Sequence, residues 1–315
     1  MTATLILSYR NPGKYAFNVL AGALAADEAA GHIALVVART RVQLLAATRA
    51  AVARSAPVIV AWSFYSPSFP ECAAELAWLR ERVPSGWSSL AGGVHATAEP
   101  EETLRAGFDR VAIGEGEHLL RELAHALSAG ADLDALTGLA RLDGDRLVKN
   151  GRARTVESLD DFPAFSARHA LWGSIEITRG CIYACKFCQT PFLNKARFRH
   201  RSAANVAHHA ALLRRAGKRD VRFISPTSLS YGSQDERVDL GALEDLLAPL
   251  RVIALGAVDG LPLQDLLRRC RRLVDLPKEV HREGVRRQVG LASPLEGHEG
   301  ILAPLDEQHR HARYA

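Results

Sequence analysis

Short apolar runs alternate with stretches of helical periodicity over the first third of the chain. The apolar runs predict five strands, at residues 4–8, 33–37, 57–62, 89–93 and 110–113. The stretches between them predict helices at residues 15–30, 41–54, 71–82, 99–106 and 117–127. Apolar strands separated by helices are typical of a parallel sheet that is covered on both faces. We therefore predict an α/β fold that begins with a doubly wound parallel sheet, residues 1–130.

The pattern changes after residue 130. Residues 139–148 alternate around Asp143-Gly144, which is a hairpin signal, so we interpret 131–170 as a linker that carries a hairpin. A strand–helix order then resumes, with strands predicted at 173–178, 221–225 and 251–255 and helices at 202–216 and 239–248. The last helix is expected to end before Pro249, because a proline disfavours helical backbone at the preceding residue.

The repeated β–α order predicts the start of a (β/α) barrel over residues 171–256. Residues 257–315 are rich in Arg, His, Gly and Glu and contain few strand-like runs. We therefore expect a partial barrel, incomplete at its C-terminal end, followed by an atypical tail. A truncation or a change of reading frame is one hypothesis for this tail.

The net charge and the lengths of the apolar runs bear on whether nucleic acid or a membrane is a partner. The chain has 315 residues and a net charge of +5, and its basic residues form short runs such as 197–201 and 268–272. Such runs are typical of solvated faces, so we predict no nucleic-acid partner. No apolar run approaches the roughly 20 residues that span a bilayer, and the first residues lack a basic leader. We expect a cytoplasmic protein without a membrane partner.

Three of the five cysteines, Cys181, Cys185 and Cys188, lie in one short loop directly after a predicted strand. The clustering and the odd count argue against a disulfide framework and favour a metal or redox site in a reducing compartment. Thiolates bind iron–sulfur clusters or zinc. A structural zinc site would need a fourth ligand, for which His200 is the nearby candidate. Zinc and an iron–sulfur cluster therefore both remain alternatives. The C-x₃-C-x₂-C spacing favours the cluster, because zinc sites usually contain two separate C-x₂₋₄-C pairs.

The segment from Ile177 through Cys181 to Phe187-Cys188 resembles the signature of the radical S-adenosylmethionine superfamily. The resemblance implies that the three cysteines ligate a [4Fe–4S] cluster whose open iron chelates S-adenosylmethionine. It also implies an electron donor of the flavodoxin or ferredoxin type, a 5′-deoxyadenosyl radical and a small-molecule substrate.

The same resemblance suggests further contacts to S-adenosylmethionine. Phe187 would lie near the adenine. Ser225 and Thr227 would contact the methionine amino group from the end of the second barrel strand. Ser225-Pro226-Thr227 stands where the family usually has Gly-Gly-Glu.

Two glycine-containing loops follow the fourth and fifth predicted strands, Gly92-Gly93-Val94-His95 and Gly114-Glu115-Gly116-Glu117. Ligands of parallel sheets bind at the carboxyl ends of the strands, although such glycines are equally typical of tight turns. The two loops resemble the cobalamin-binding-type domain fused to a subgroup of radical S-adenosylmethionine enzymes. By that resemblance, the cofactor contacts are Gly92, Gly93, His95, Gly114 and Glu115.

One departure concerns the lower ligand of cobalt. Base-off cobalamin domains carry Asp-x-His-x-x-Gly after the first strand, and residues 11–16 of this chain contain no histidine. A bound cobalamin would therefore lack this ligand.

The combined prediction is an enzyme that generates a 5′-deoxyadenosyl radical or carries out radical methyl or hydrogen transfer. One alternative is a protein that binds a cluster and a corrinoid without turnover, because its barrel is incomplete. A second alternative is an RNA-modifying enzyme of the same superfamily. Fold and cofactor do not name the substrate.

Overall fold

A seven-stranded sheet forms the first part of the chain, with the spatial order β2-β1-β3-β4-β5-β6-β7. The computed structural model describes residues 2–11, 13–54, 56–183, 185–227 and 229–253, with side chains to residue 250. Five strands pair in parallel: β1 (Ala3–Ser8), β2 (Ile33–Ala38), β3 (Val58–Ser63), β4 (Ser88–Gly92) and β5 (Arg110–Ala112). Every residue of β1 is buried, as expected for a strand with neighbours on both sides and helices on both faces.

Seven helices of the described residues accompany this sheet: α1 (Lys14–Ala23), α2 (Ala25–Ala29), α3 (Arg41–Val52), α4 (Phe69–Arg82), α5 (Val94–Ala98), α6 (Pro100–Arg105) and α7 (Gly116–Ala129). The alternation of side chains along β1 sends Leu5 into one apolar cluster and Ile6 into the other. These two clusters form the two faces of the core. The predicted doubly wound parallel sheet is confirmed, although the helix expected at 15–30 is divided in two at Leu24.

The predicted hairpin is β6 (Leu139–Asp143) and β7 (Arg146–Lys149). It does not stand apart from the sheet, because β6 pairs antiparallel with β5 and extends the sheet by two strands. Leu139 and Ala140 of β6 are buried, so the hairpin covers an edge that β5 would otherwise expose. The boundaries predicted for the domains and the linker stay predictions.

The second part of the described chain contains a strand–helix–strand unit. Parallel strands β8 (Ile175–Glu176) and β11 (Phe223–Ile224) pair with one another, and β9 (Thr178–Arg179) pairs antiparallel with β10 (Arg199–His200). The helices are α8 (Thr190–Leu193), α9 (Ala203–Arg215) and α10 (Leu240–Ile253). Ser202 caps α9 by accepting a hydrogen bond from the Asn205 N–H at 3.2 Å.

Two expectations in this part were wrong. Helix α10 does not end before Pro249, and residues 251–253 belong to this helix rather than to a strand. A proline inside a helix removes one hydrogen bond at a cost of about 3 kcal/mol. Packing of Leu246 and Leu250 on the apolar cluster shared with α9 offsets this cost. Residues 254–256 of the predicted barrel and the tail at 257–315 lie outside the described residues.

The sheet and the strand–helix–strand unit belong to one compact unit, Met1–Gly260, which contains all the described residues. Within the described part of the chain, no helix is long and apolar enough to cross a membrane.

Candidate functional site

The cysteine loop starts at a point where the backbone is tightly constrained. Gly180 separates β9 from Cys181 and has a φ of +85°, which L-residues rarely adopt. A Cβ on Gly180 would lie 2.0 Å from the carbonyl oxygen of Arg197. The backbone requires glycine here, because the chain at the end of β9 is in close contact with the segment that precedes β10.

The three cysteines differ in exposure. Cys181 is buried, Cys188 is half-buried and Cys185 is exposed, and the Cys188 N–H donates to the Cys185 carbonyl oxygen at 3.0 Å. Burial raises the pKa of the Cys181 thiol, opposed by a hydrogen bond from the Tyr183 backbone and assisted by the neighbouring Cys188 and Cys185. The Cys188 and Cys185 thiols are therefore close enough to affect the pKa of Cys181.

The spacing of the three thiols differs from that of ligands to one metal ion. Sulfur ligands of one tetrahedral zinc ion, each at about 2.3 Å, lie roughly 3.8 Å from one another. Among the described residues, three ligand atoms within 4.8 Å of one another occur at Asp27, His32 and His125 and not at the three cysteines. A wider spacing is what three ligands to different irons of a cubane require.

His200, the candidate fourth ligand for zinc, has both ring nitrogens engaged. Its Nδ1 lies 3.0 Å from the Thr178 hydroxyl, and its Nε2 lies 2.7 Å from the Ser233 carbonyl oxygen. Burial lowers the pKa of His200, against the effect of the Ser233 carbonyl. A neutral imidazole with a donor and an acceptor partner explains this residue without a metal.

The residues predicted to contact S-adenosylmethionine lie near strand ends. Ser225 directly follows β11, which runs parallel to β8, so Ser225 and the cysteine loop lie at the same edge of the strand pair. The Ser225 hydroxyl donates to the Thr227 carbonyl oxygen at 2.6 Å. The Thr227 hydroxyl is buried without a hydrogen-bond partner among the described residues. Phe187 is 76% exposed. The roles of these three residues stay predictions.

The glycines at the edge of the large sheet differ in their local constraints. Gly93 has a φ of +94°, and a Cβ there would lie 2.7 Å from the Phe64 carbonyl oxygen, whereas a Cβ on Gly92 would make only ordinary contacts. Gly114 has a φ of +104°. Gly93 and Gly114 are thus required by the backbone path itself, and a cofactor contact would be an additional role.

His95 lies inside an aromatic cluster. Its ring stacks on Phe69 with centroids 4.3 Å apart, and its Nδ1 lies 3.0 Å from the Ser66 hydroxyl. Its Nε2 is buried, lies 3.6 Å from a Glu102 carboxylate oxygen and makes no hydrogen bond among the described residues. These contacts favour a packing role, and cofactor binding by His95 stays a prediction.

Glu115 connects the large sheet to the strands that carry the cysteine loop. Its carboxylate accepts hydrogen bonds from both terminal nitrogens of Arg199 and from the Val156 N–H, and it lies 3.3 Å from Arg179 Nη1. Burial opposes ionisation of Glu115, but the bond from Arg199 and the charge of Arg179 outweigh it and hold the pKa of this carboxyl below its ordinary value. Arg179 also pairs with Glu117 and with Glu176, each at 2.7 Å.

The arginines of this junction were missed by the sequence analysis, which interpreted 197–201 as a solvated basic run. Arg199 is only 5% exposed and Arg201 only 1%. Arg201 donates to the carbonyl oxygens of Glu176 and Phe162. The alternation of Phe198 and His200 with arginine indicates a strand, because a period of two is typical of strands, but it gives no signal that Arg199 and Arg201 are buried.

His32 takes part in a hydrogen-bonded cluster at the opposite edge of the sheet. The buried Asp27 carboxylate accepts from His125 at 2.7 Å and from Arg121 at 3.0 Å, and His32 Nδ1 lies 3.5 Å away. His32 precedes β2, whereas the glycine loops follow β4 and β5. The bonds to Asp27 account for this cluster, and it lies away from the cysteine loop.

Comparison with known proteins gives no matching family model. An uncharacterised methyltransferase of Pyrococcus horikoshii is 28% identical over 151 residues, which are 44% of this chain and 33% of that protein. The anaerobic magnesium-protoporphyrin IX monomethyl ester cyclase of Cereibacter sphaeroides is 30% identical over 148 residues, 42% and 24% of the two chains. The ribosomal protein uS12 methylthiotransferase RimO of Acidothermus cellulolyticus is 31% identical over 182 residues, 54% and 34%. The aligned part thus spans about a quarter to a third of each of these relatives.

Two solved enzymes share the fold. The cobalamin-dependent S-adenosylmethionine radical enzyme OxsB, with aqua-cobalamin bound, has a TM-score of 0.62 and 17% identity over 82% of this chain and 38% of its own. The radical S-adenosylmethionine methyltransferase TsrM from Kitasatospora setae has a TM-score of 0.60 and 18% identity over 82% and 52%. By sequence the chain is similar to proteins named as a methyltransferase, a cyclase and a methylthiotransferase, and its fold is similar to those of OxsB and TsrM.

Proposed function

We propose that this chain is a radical S-adenosylmethionine enzyme that holds a [4Fe–4S] cluster on Cys181, Cys185 and Cys188. The observation that carries the proposal is the position of the three thiols, on one loop that starts at a constrained glycine beside a parallel strand pair. When bound, such a cluster supplies the electron that cleaves S-adenosylmethionine. The reaction class is radical formation with methyl or hydrogen transfer, on a small-molecule substrate.

The chain's own residues would position the cofactor. The buried Cys181 would anchor the cluster, and the exposed Cys185 would close around it. Ser225 and Thr227, at the same edge, would contact the methionine part of S-adenosylmethionine, and the exposed ring of Phe187 is available to pack on the adenine. The electron would come from a partner of the flavodoxin or ferredoxin type.

The second cofactor in the proposal is cobalamin, at the carboxyl ends of β4 and β5. The shared fold with OxsB and TsrM supports this site, together with the glycine turns at Gly93 and Gly114. Residues 11–16 contain no histidine, so this loop would leave cobalt without an imidazole ligand. The absorption spectrum of the bound corrinoid reports the ligation of cobalt and tests this point.

Anaerobic reconstitution of the full chain tests the central claim. We expect about four irons per chain and the formation of 5′-deoxyadenosine from S-adenosylmethionine and dithionite. Cys185→Ala should lose both. The matched control is Cys72→Ala, because Cys72 lies half-buried in α4 and burial raises its pKa to about 11. Tight zinc binding without iron, or full iron content in Cys185→Ala, would contradict the proposal.

A cluster-binding protein without turnover is the second candidate. It is favoured by Ser225-Pro226-Thr227, which stands in place of the Gly-Gly-Glu expected at the end of the second barrel strand. The same experiment separates the candidates, since this one predicts full iron content without 5′-deoxyadenosine.

A further inference from the structure

We propose that Glu115 is a positioning residue for the cysteine loop and that it does not contact the corrinoid. The inference rests on the proposed function, because it assumes that the loop holds a cluster. It replaces the role that the motif resemblance suggested for Glu115 with one that follows from its contacts in this structure.

Both carboxylate oxygens of Glu115 are occupied by protein donors. Oε1 accepts from Arg199 Nη2, while Oε2 accepts from Arg199 Nη1 at 2.9 Å and from the Val156 N–H at 2.8 Å. Arg179 Nη1 lies 3.3 Å from Oε2. A carboxylate has about four lone-pair sites, two on each oxygen, so the protein donors fill those of Oε2 and one of those of Oε1. The Glu115 side chain is 15% exposed, so a corrinoid amide would have only the remaining site of Oε1, beside the Arg199 guanidinium.

The two arginines belong to the strands that frame the cysteine loop. Arg179 and Arg199 are directly opposite one another in the antiparallel pair β9–β10. Arg179 is separated from Cys181 only by Gly180, whose backbone has no room to move toward Arg197. A shift of the Arg179 backbone would consequently move the first cysteine of the loop.

Glu115 therefore joins three segments that the sequence keeps far apart. It directly precedes α7, and it accepts a hydrogen bond from the Val156 N–H in the segment that connects the large sheet to β8. It also pairs with Arg179 of β9 and Arg199 of β10, the two strands beside the cysteine loop. The side chain of Arg199 is 4% exposed and that of Arg179 is 15% exposed, so water is poorly placed to replace a lost partner of Arg199. Loss of the Glu115 charge would leave these guanidinium groups with fewer carboxylate partners. The cysteine loop would then be held less firmly in place.

The test uses the full chain, reconstituted anaerobically, with Glu115→Gln as the variant. The matched control is Glu101→Gln, which removes an exposed carboxylate that pairs with Arg105 in the same domain. Three quantities are measured: iron per chain, the electron paramagnetic resonance spectrum of the reduced cluster with and without S-adenosylmethionine, and the dissociation constant of hydroxocobalamin.

A positioning role predicts that Glu115→Gln lowers cluster affinity about tenfold or more, as the loss of residues that orient metal ligands does, and alters the spectrum. Hydroxocobalamin affinity should stay within about twofold of the wild type, because a lost contact would cost about tenfold. Glu101→Gln should match the wild type throughout. If Glu115→Gln does not fold, Arg199→Lys replaces it, since this variant keeps the charge and loses the two-nitrogen contact.

The opposite results would overturn the inference. Weakened hydroxocobalamin binding with normal iron and a normal spectrum would make Glu115 a corrinoid contact. Normal values of all three quantities would remove any role of Glu115 in the site. A wild-type chain that binds no iron would instead refute the proposed function. If the wild type binds the cluster but no cobalamin, the iron content and the spectrum alone decide.

Discussion

Replacing Gly180 by alanine should destabilise the start of the cysteine loop in two ways. A positive φ in an L-residue costs about 1–2 kcal/mol, and Gly180 has a φ of +85°. The new Cβ would lie 2.0 Å from the Arg197 carbonyl oxygen, whereas real Cβ atoms stay beyond 3.0 Å, so the two backbones must separate by about 1 Å. Overpacking of this kind adds about 1–3 kcal/mol, which makes the total about 2–5 kcal/mol.

The positions of the cysteine thiols should change as well, because a backbone shift of about 1 Å exceeds the roughly 0.5 Å within which the groups of a functional site must be held. The assay is urea unfolding of the metal-free chain, followed by the iron content after anaerobic reconstitution. Gly217→Ala is the control, since Gly217 has a φ of +73° but no atom within 4 Å of the added Cβ. It should show only the cost of the positive φ and keep its iron. Equal unfolding free energies and equal iron content in the two variants would refute the reasoning.

Two further predictions concern stability. Glu75 is fully buried and accepts hydrogen bonds from Ser8 at 2.8 Å and from the Trp62 indole at 2.9 Å. Glu75→Ala should therefore cost about 3–5 kcal/mol in urea unfolding, and a loss below about 1 kcal/mol would contradict this account. Burial opposes ionisation of Asp27, but the hydrogen bond from Arg121 and its histidine neighbours hold the carboxyl pKa below its ordinary 3.8. Its stabilisation is thus full above pH 3.8 and lost as the pH falls through the lower folded pKa, so the difference in stability from Asp27→Asn should shrink there. A difference that does not change with pH would count against it.

The elements that the sequence predicted well are those with a strong local pattern. Strands β1 and β3 are built around the apolar runs 5–7 and 58–62, and Gly144 has the positive φ that the hairpin turn requires. The end of α10 was wrong because proline discourages a helix only locally, while Leu246 and Leu250 pack on residues of α9 and β8 that no local pattern contains.

The same distinction applies to the candidate site. The three cysteines were predicted as ligands from the sequence alone, because residues so close along the chain stay close to one another in any fold. The environment of Glu115 could not be identified in this way. Val156, Arg179 and Arg199 lie 41 to 84 positions from Glu115, and only the packing of the second strand unit against the large sheet brings them to it.

By itself, the sequence determined the order of strands and helices in the large sheet, the predicted thiol ligands and the glycine turns, since these depend on side-chain period, residue type and backbone freedom. Tertiary structure decided which charges are buried. Arg199 belongs to a basic run, and its contact with a carboxylate from a distant segment of the chain makes it a structural residue. An ion pair forms where two distant segments meet, and a linear pattern carries no information about that meeting.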